Sequence, residues 1–120
     1  GKPRQIELSI GIKAYLVPMK LKKLSDDFLF WDKNRSFDVY EIASRLHHRA
    51  VQIHPFQNGN GRWSRMLANI YLRQKGLMPV KWQEDLLASE NPKRSEYIQA
   101  LKKADNRDYT DLIEMHKITY

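Results

Sequence analysis

The stretch that could do chemistry is residues 54–65, His-Pro-Phe-Gln-Asn-Gly-Asn-Gly-Arg-Trp-Ser-Arg. Pro55 disfavours helical geometry in the residue before it, so a helix is expected to end at Ile53–His54. Gly59 and Gly61 remove side-chain bulk around Asn60, and a new helix is expected to begin there. Backbone N–H groups at such a start can converge on an anion, and the helix dipole adds about half a positive charge. Arg62 and Arg65 lie three apart, on one helix face near that N-terminus. The combination describes a polyphosphate site, with backbone donors for one phosphate and two guanidiniums for the others. His54 stands on the opposite lip, where a neutral imidazole could take a proton from an incoming hydroxyl. The plain alternative is a Gly-rich turn joining two helices, with solvated arginines and a capping histidine. A lone Gly-x-Gly favours that alternative, but here each residue type serves one chemical need.

The elements that must hold this stretch read as mostly α-helix. Ile6, Leu8, Ile10 and Ile12 alternate with polar or small residues, a strand period, and Gly11 permits a bend. A small hairpin or flap is therefore expected over about 5–17. Pro18 suits a first helical turn, and Leu21, Leu24, Phe28 and Trp31 form one apolar stripe of a helix over about 18–32. Asn34-Arg35-Ser36 breaks it. Asp38 with Glu41 has capping-box spacing and precedes a helix over about 39–53, with Ile42, Leu46 and Ile53, and Ala43, Ala50 and Val51 beside them, lining one face. A third helix, about 60–75, carries Trp63, Leu67 and Ile70 as its apolar face and stops near Gly76. Asn91-Pro92 opens a helix over about 92–105 with Tyr97, Ile98 and Leu101 inward. Asp108 opens a last one over about 109–117. The expected fold class is mainly α, a helical bundle with a short N-terminal β-hairpin flap, in one domain over 1–120.

Composition bounds the rest. The chain has 120 residues, enough to bury roughly two-thirds of its unfolded surface. Hydrophobic residues are 42% and charged residues 29% of it, which fits a folded globular domain rather than a disordered one. No apolar run nears the ~18 residues of a membrane span. With no cysteine, disulfides, thiol nucleophiles and thiolate zinc sites are excluded. No secretory leader is read at the start, and a cytoplasmic setting is expected. The net charge of +7 favours an anionic partner. That charge is spread, and its densest run, Lys20-Leu21-Lys22-Lys23, reads as a solvated helix face.

Residues 54–65 resemble the signature of the Fic family, His-x-Phe-x-(Asp/Glu)-Gly-Asn-Gly-Arg-x-x-Arg. His54, Phe56, Gly59, Asn60, Gly61, Arg62 and Arg65 match in type and spacing. The helix Ile42–Arg49 is similar to the family's helix before the motif, and Ala104-Asp105-Asn106 with Asp108 is similar to its adenine-side segment. Within the family, the Asn-Gly-Asn-Gly-Arg form and the Ile-Gly…Pro run most resemble the subgroup called mobile mystery protein B. The resemblance implies transfer of AMP from ATP to a Ser, Thr or Tyr hydroxyl of a target protein. It makes His54 the general base, and Gly59, Asn60 and Gly61 the anion hole for the transferred phosphate. Arg62 and Arg65 would hold the β- and γ-phosphates, and Phe56 would anchor the loop. It places Tyr97 and Asp105 near the adenine, although core packing and a helix-end polar role are equally simple readings of those two. The flap residues Ile10, Ile12 and Tyr15 would pair with the target's backbone as an added strand.

Two departures stand out. The family's acidic Mg²⁺ residue is Asn58 here, and an amide brings no negative charge, so weaker metal binding is expected with Mg²⁺ arriving on ATP. Family cores usually carry helices before the flap, so either the core is reduced here or the chain is a piece of a longer protein; if an upstream segment is missing, exposed apolar helix faces are expected where it would sit. The family's inhibitory segment is incomplete: Thr110…Glu114 fits its first part but Met115 follows. His47 and His48 point about 100° apart on a helix and so do not share one ion easily; a buried or hydrogen-bonded role is expected for one of them. His116 reads as an exposed helix residue. Trp31, Trp63 and Trp82 read as core. The alternatives to an adenylyltransferase are a catalytically degenerate scaffold of the same fold, a related phosphotransferase, against which Gly61 argues, and a basic nucleic-acid-binding domain.

Overall fold

Six helices occupy the described part of the chain, residues 16–53 and 60–118 of a computed structural model: α1 Val17–Asn34, α2 Val39–Ile53, α3 Asn60–Gln74, α4 Glu84–Leu87, α5 Pro92–Asp105 and α6 Thr110–Met115. The mainly-α expectation holds, and no strand occurs among the described residues. The flap, with Ile10, Ile12 and Tyr15, lies outside them. So do His54, Phe56, Asn58 and Gly59 of the motif. None of the described helices is long and apolar enough to cross a membrane.

The helix ends follow from local chemistry. Pro18 sits in the first turn of α1, and the helix closes at Arg35 in the left-handed region, φ 49°. Asp38 Oδ1 accepts from the Glu41 N–H at 2.9 Å, which caps α2. Gly76, φ +76°, ends α3 in a conformation that favours glycine, with the Leu77 N–H donating back to the Leu72 carbonyl. Asn91 caps α5 through its side chain, accepting from Arg94 N–H at 3.1 Å.

α1, α2 and α3 enclose the main core, built on Leu24, Ile42, Leu46, Ala50, Ala68 and Leu72. Trp31, Trp63 and Trp82 pack against it, half-buried. A smaller cluster of Ala100, Ala104 and Leu112 joins α5 to α6. Between the two lies a polar layer: Ser44, His47 and His116 are each 0% exposed and Tyr97 is 7% exposed. Four polar side chains in a dry seam cost folding free energy unless they satisfy one another. They do, as described below.

Three expectations are corrected. His116 is fully buried, because the end of α6 docks on α2 and turns its imidazole inward. Both His47 and His48, not one, are buried and hydrogen-bonded. Ile70 is 46% exposed, at the rim of a cleft of about 280 Å³ between α1 and α3 that Leu21, Phe28, Trp63 and Leu67 also line. The short α4 had no counterpart in the sequence pattern. Among the described residues Met19, Phe30 and Met66 are more than half exposed, so apolar helix surface does face outward. The basic run on α1 faces solvent, with Lys22 and Lys23 paired to Asp26 and Asp27 one turn on.

Candidate active site

The first turn of α3 carries the described half of the motif. Gly61 is the second residue of the helix and Arg65 stands one turn later. The Arg65 side chain folds back along this turn, so that a Cβ built on Gly61 would lie 2.9 Å from Arg65 Nη1. That is closer than real Cβ atoms approach, so glycine at 61 is what makes room for the guanidinium. The cation is thereby brought beside the positive end of the helix dipole, which concentrates positive potential where an anion would sit.

The two motif arginines have different fates. Arg62 is exposed, whereas the Arg65 side chain is only 9% exposed. Both line a cleft of about 340 Å³ whose wall also includes Asn69, Arg73, Trp82 and Glu84. Glu84, on α4, grips Arg65 in two places, Oε2 accepting from Nε at 2.8 Å and Oε1 from Nη2 at 2.5 Å. The third contact is Nη1 donating to the Tyr97 hydroxyl at 3.2 Å, with the guanidinium 5.3 Å from the Tyr97 ring centre. The hydrogen bonds from Arg65 hold the Glu84 carboxyl below its ordinary value against its own burial. Burial works against the Arg65 charge, but the bonds to Glu84 and Tyr97 outweigh it and raise its affinity for the proton.

Behind Tyr97 the polar seam runs away from the cleft. The Tyr97 hydroxyl is 2.8 Å from His47 Nε2. His47 Nδ1 is 3.0 Å from His116 Nε2, and His116 Nδ1 is 2.7 Å from the Leu112 carbonyl. Burial holds the His47 imidazole well below the ordinary histidine value, aided by the neighbouring His116 and Arg65. Burial pushes His116 down to about 4, opposed by its bond to the Leu112 carbonyl. Both rings are therefore neutral at pH 7. Burial also raises the Tyr97 phenol above its usual value, with Arg65 opposing the shift. The Trp82 ring meets His47 and His116 edge-on, at 5.4 and 5.2 Å between centres.

Of the residues proposed for the adenine side, Tyr97 is buried with its hydroxyl committed to His47 and Arg65. Asp105 lies at the end of α5, its carboxylate 2.8 Å from His48 Nε2 and 3.4 Å from the Gln52 amide. Sequence reasoning missed Glu84 and the His47–His116 pair. Glu84 lies in an ordinary acidic helix start, 19 residues from Arg65, with no motif to mark it. His47 did carry a signal: it stands four after Ala43 and three before Ala50, both on the core-facing side of α2. The described residues contain no cluster of three or more His, Cys, Asp or Glu groups suited to hold a metal.

Known proteins resemble this chain over most of its length. The protein adenylyltransferase Fic of Aedes aegypti is 30% identical over 116 residues, covering 94% of this chain and 22% of that protein. Protein adenylyltransferase fic-1 of Caenorhabditis briggsae is 32% identical over 111 residues, covering 90% of this chain and 20% of that protein. The solved structure of Fic-1 (aa 134–508) from C. elegans superposes with a TM-score of 0.71 at 26% identity, covering 94% of this chain and 32% of that one. The chain thus spans about a fifth of the length of the curated relatives it matches. The model of the Fic/DOC family matches residues 1–72, more than half of the sequence, and the chain belongs to that family.

Proposed function

We propose that residues 1–120 form one catalytic domain that transfers AMP from ATP to a hydroxyl of a target protein. The observation that carries this reading is the first turn of α3. Gly61 leaves room for Arg65 to fold back to the helix N-terminus, and Arg62 lines the same cleft. Three positive features thus converge where a triphosphate would bind. Relatives named protein adenylyltransferase, similar over most of this chain, support the same chemistry.

In this reading the target's hydroxyl oxygen attacks the α-phosphorus while its proton passes to the His54 imidazole. The bond from that phosphorus to the bridging oxygen breaks, and pyrophosphate leaves with the electron pair. Backbone N–H groups around Gly59, Asn60 and Gly61 stabilise the charge that develops on the α-phosphate oxygens. Arg62 and Arg65 neutralise the leaving pyrophosphate, Arg65 by exchanging part of its Glu84 contact for phosphate oxygens. Mg²⁺ would enter with the triphosphate, held mainly by phosphate oxygens, with the Asn58 amide oxygen as the chain's own ligand. The flap pairs with the target's backbone. A cytoplasmic setting goes with this reading, as does the lack of any cysteine in the sequence.

The test is mass spectrometry of a lysate incubated with the protein and isotopically labelled ATP. Labelled AMP on protein Ser, Thr or Tyr is the expected result. It should fall by about 10²–10⁴-fold in His54→Ala, the typical effect of removing a positioned base. Transfer that survives unchanged in His54→Ala removes the mechanism. Nucleotide binding without any transfer assigns the domain to a non-catalytic scaffold instead.

A further inference from the structure

The polar seam behind Arg65 has a direction, and the direction is forced. The Leu112 carbonyl can only accept, so the His116 nitrogen 2.7 Å from it, Nδ1, must carry the proton. The Ser44 hydroxyl, 3.2 Å from the same nitrogen, gives its own proton to the Tyr40 carbonyl at 2.8 Å and cannot supply one. A neutral His116 then has a bare Nε2, which accepts from His47 Nδ1–H. His47 Nε2 is bare in turn and accepts the Tyr97 O–H. The Tyr97 oxygen is left with its lone pairs toward Arg65 Nη1–H. Every bond from Arg65 to Leu112 therefore points one way, through three side chains that two helices and a helix end bring together.

We propose that His47 is a positioning residue for Arg65, acting through the Tyr97 hydroxyl, with His116 setting its tautomer. This rests on reading Arg65 as a phosphate-binding group. Of the five N–H groups on that guanidinium, two go to Glu84 and one to Tyr97 among the described residues. The Glu84 contacts are the ones an incoming phosphate competes with, since both are negative. The Tyr97 contact is neutral and survives that exchange. It survives only if the phenolic proton points away from Arg65, and His47 Nε2 is the acceptor that takes it. A seam that served packing alone would need partners for its polar atoms but no particular direction. Apolar side chains would fill it without the cost of burying two imidazoles and a phenol. Trp82 meets both rings edge-on and helps to keep them in plane with their bonds.

The experiment has two parts. ¹⁵N NMR of the histidine side chains at pH 7 should show His47 and His116 both protonated at Nδ1 and bare at Nε2, the tautomer less favoured by imidazole in water. Binding of inorganic tripolyphosphate is then measured by calorimetry for the wild type, Arg65→Met, Tyr97→Phe, His47→Leu and His47→Gln. Arg65→Met should lose most of the affinity. Tyr97→Phe and His47→Leu should each weaken binding about tenfold, the scale of one hydrogen bond to a charged group. His47→Gln, whose amide oxygen can still accept the Tyr97 proton, should recover most of it. A proton on His47 Nε2 overturns the proposal, and so does wild-type affinity in a folded Tyr97→Phe protein beside a weakened Arg65→Met. Unchanged affinity in Arg65→Met removes the phosphate-binding reading itself, and this proposal with it. Where His47→Leu does not fold, the tautomers and Tyr97→Phe decide.

Discussion

Lowering the pH from 7 to 5 should destabilise this fold through its two buried imidazoles. His116 is pushed down to about 4 from an ordinary value of 6.5 by burial, and His47 is held well below 6.5 for the same reason. Between those values the unfolded chain binds protons that the native seam refuses. Stability is thus full above pH 6.5 and is lost as pH falls toward 4. For His116 alone the difference amounts to about 2 kcal/mol at pH 5 and about 3 kcal/mol once pH is below 4. His47 acts in the same direction, so the slope should exceed that of His116 alone, which is about one proton or about 1.4 kcal/mol per pH unit. For a domain of this size, 2 kcal/mol lowers Tm by about 8 °C. Asp27, Asp32 and Glu84 sit below their ordinary values, so their contribution is lost at lower pH than the imidazoles'. Urea unfolding followed by circular dichroism at pH 7.5, 6.5, 5.5 and 5, each value about half a unit to one unit apart, measures the slope. His116→Gln should reduce it by about one proton. A flat profile between pH 7 and 5, or a slope unchanged in His116→Gln, would refute a neutral buried pair.

Other outcomes follow from the first turn of α3. Gly61→Ala places a methyl group 2.9 Å from Arg65 Nη1, so the guanidinium end must shift against its bonds to Glu84 and Tyr97; tripolyphosphate affinity should fall, by up to about tenfold, in calorimetry, and an unchanged affinity would show that Arg65 moves freely. Glu84→Gln removes the negative charge beside Arg65. It should raise tripolyphosphate affinity while costing about 2 kcal/mol of stability in urea unfolding, since a nearly buried cation loses its counter-ion; lower affinity would mean that Glu84 assists the anion rather than competing with it. Asn58→Asp should weaken ATP binding in EDTA and strengthen it with Mg²⁺, and the same sign in both conditions would place residue 58 away from the metal.

What was legible in the sequence was local. The starts of α2 and α5 are written in Asp38 and Asn91, the end of α3 in Gly76, and the apolar stripes of α1 and α2 in their spacing, because caps and periodicity act over four residues or fewer. The anion-binding reading proposed for residues 59–65 has the same short reach: glycines, an expected helix start and two arginines form one short segment. What only the tertiary structure decided are the meetings across long separations. Nothing in the stretch 83–85 marks Glu84 as the partner of Arg65, because that pairing depends on where α4 packs, not on the residues around it. Nor could the local pattern around His116 show that it is buried. An isolated six-residue α6 has both faces open, and docking against α2 sets its imidazole 3.0 Å from His47, 69 residues earlier. The difference between Arg62 and Arg65 was decided in the same way. Three residues of spacing put both on one side of α3, but the wall built by Tyr97 and Glu84 turns one inward and leaves the other in solvent, because a buried guanidinium persists only where partners wait for it.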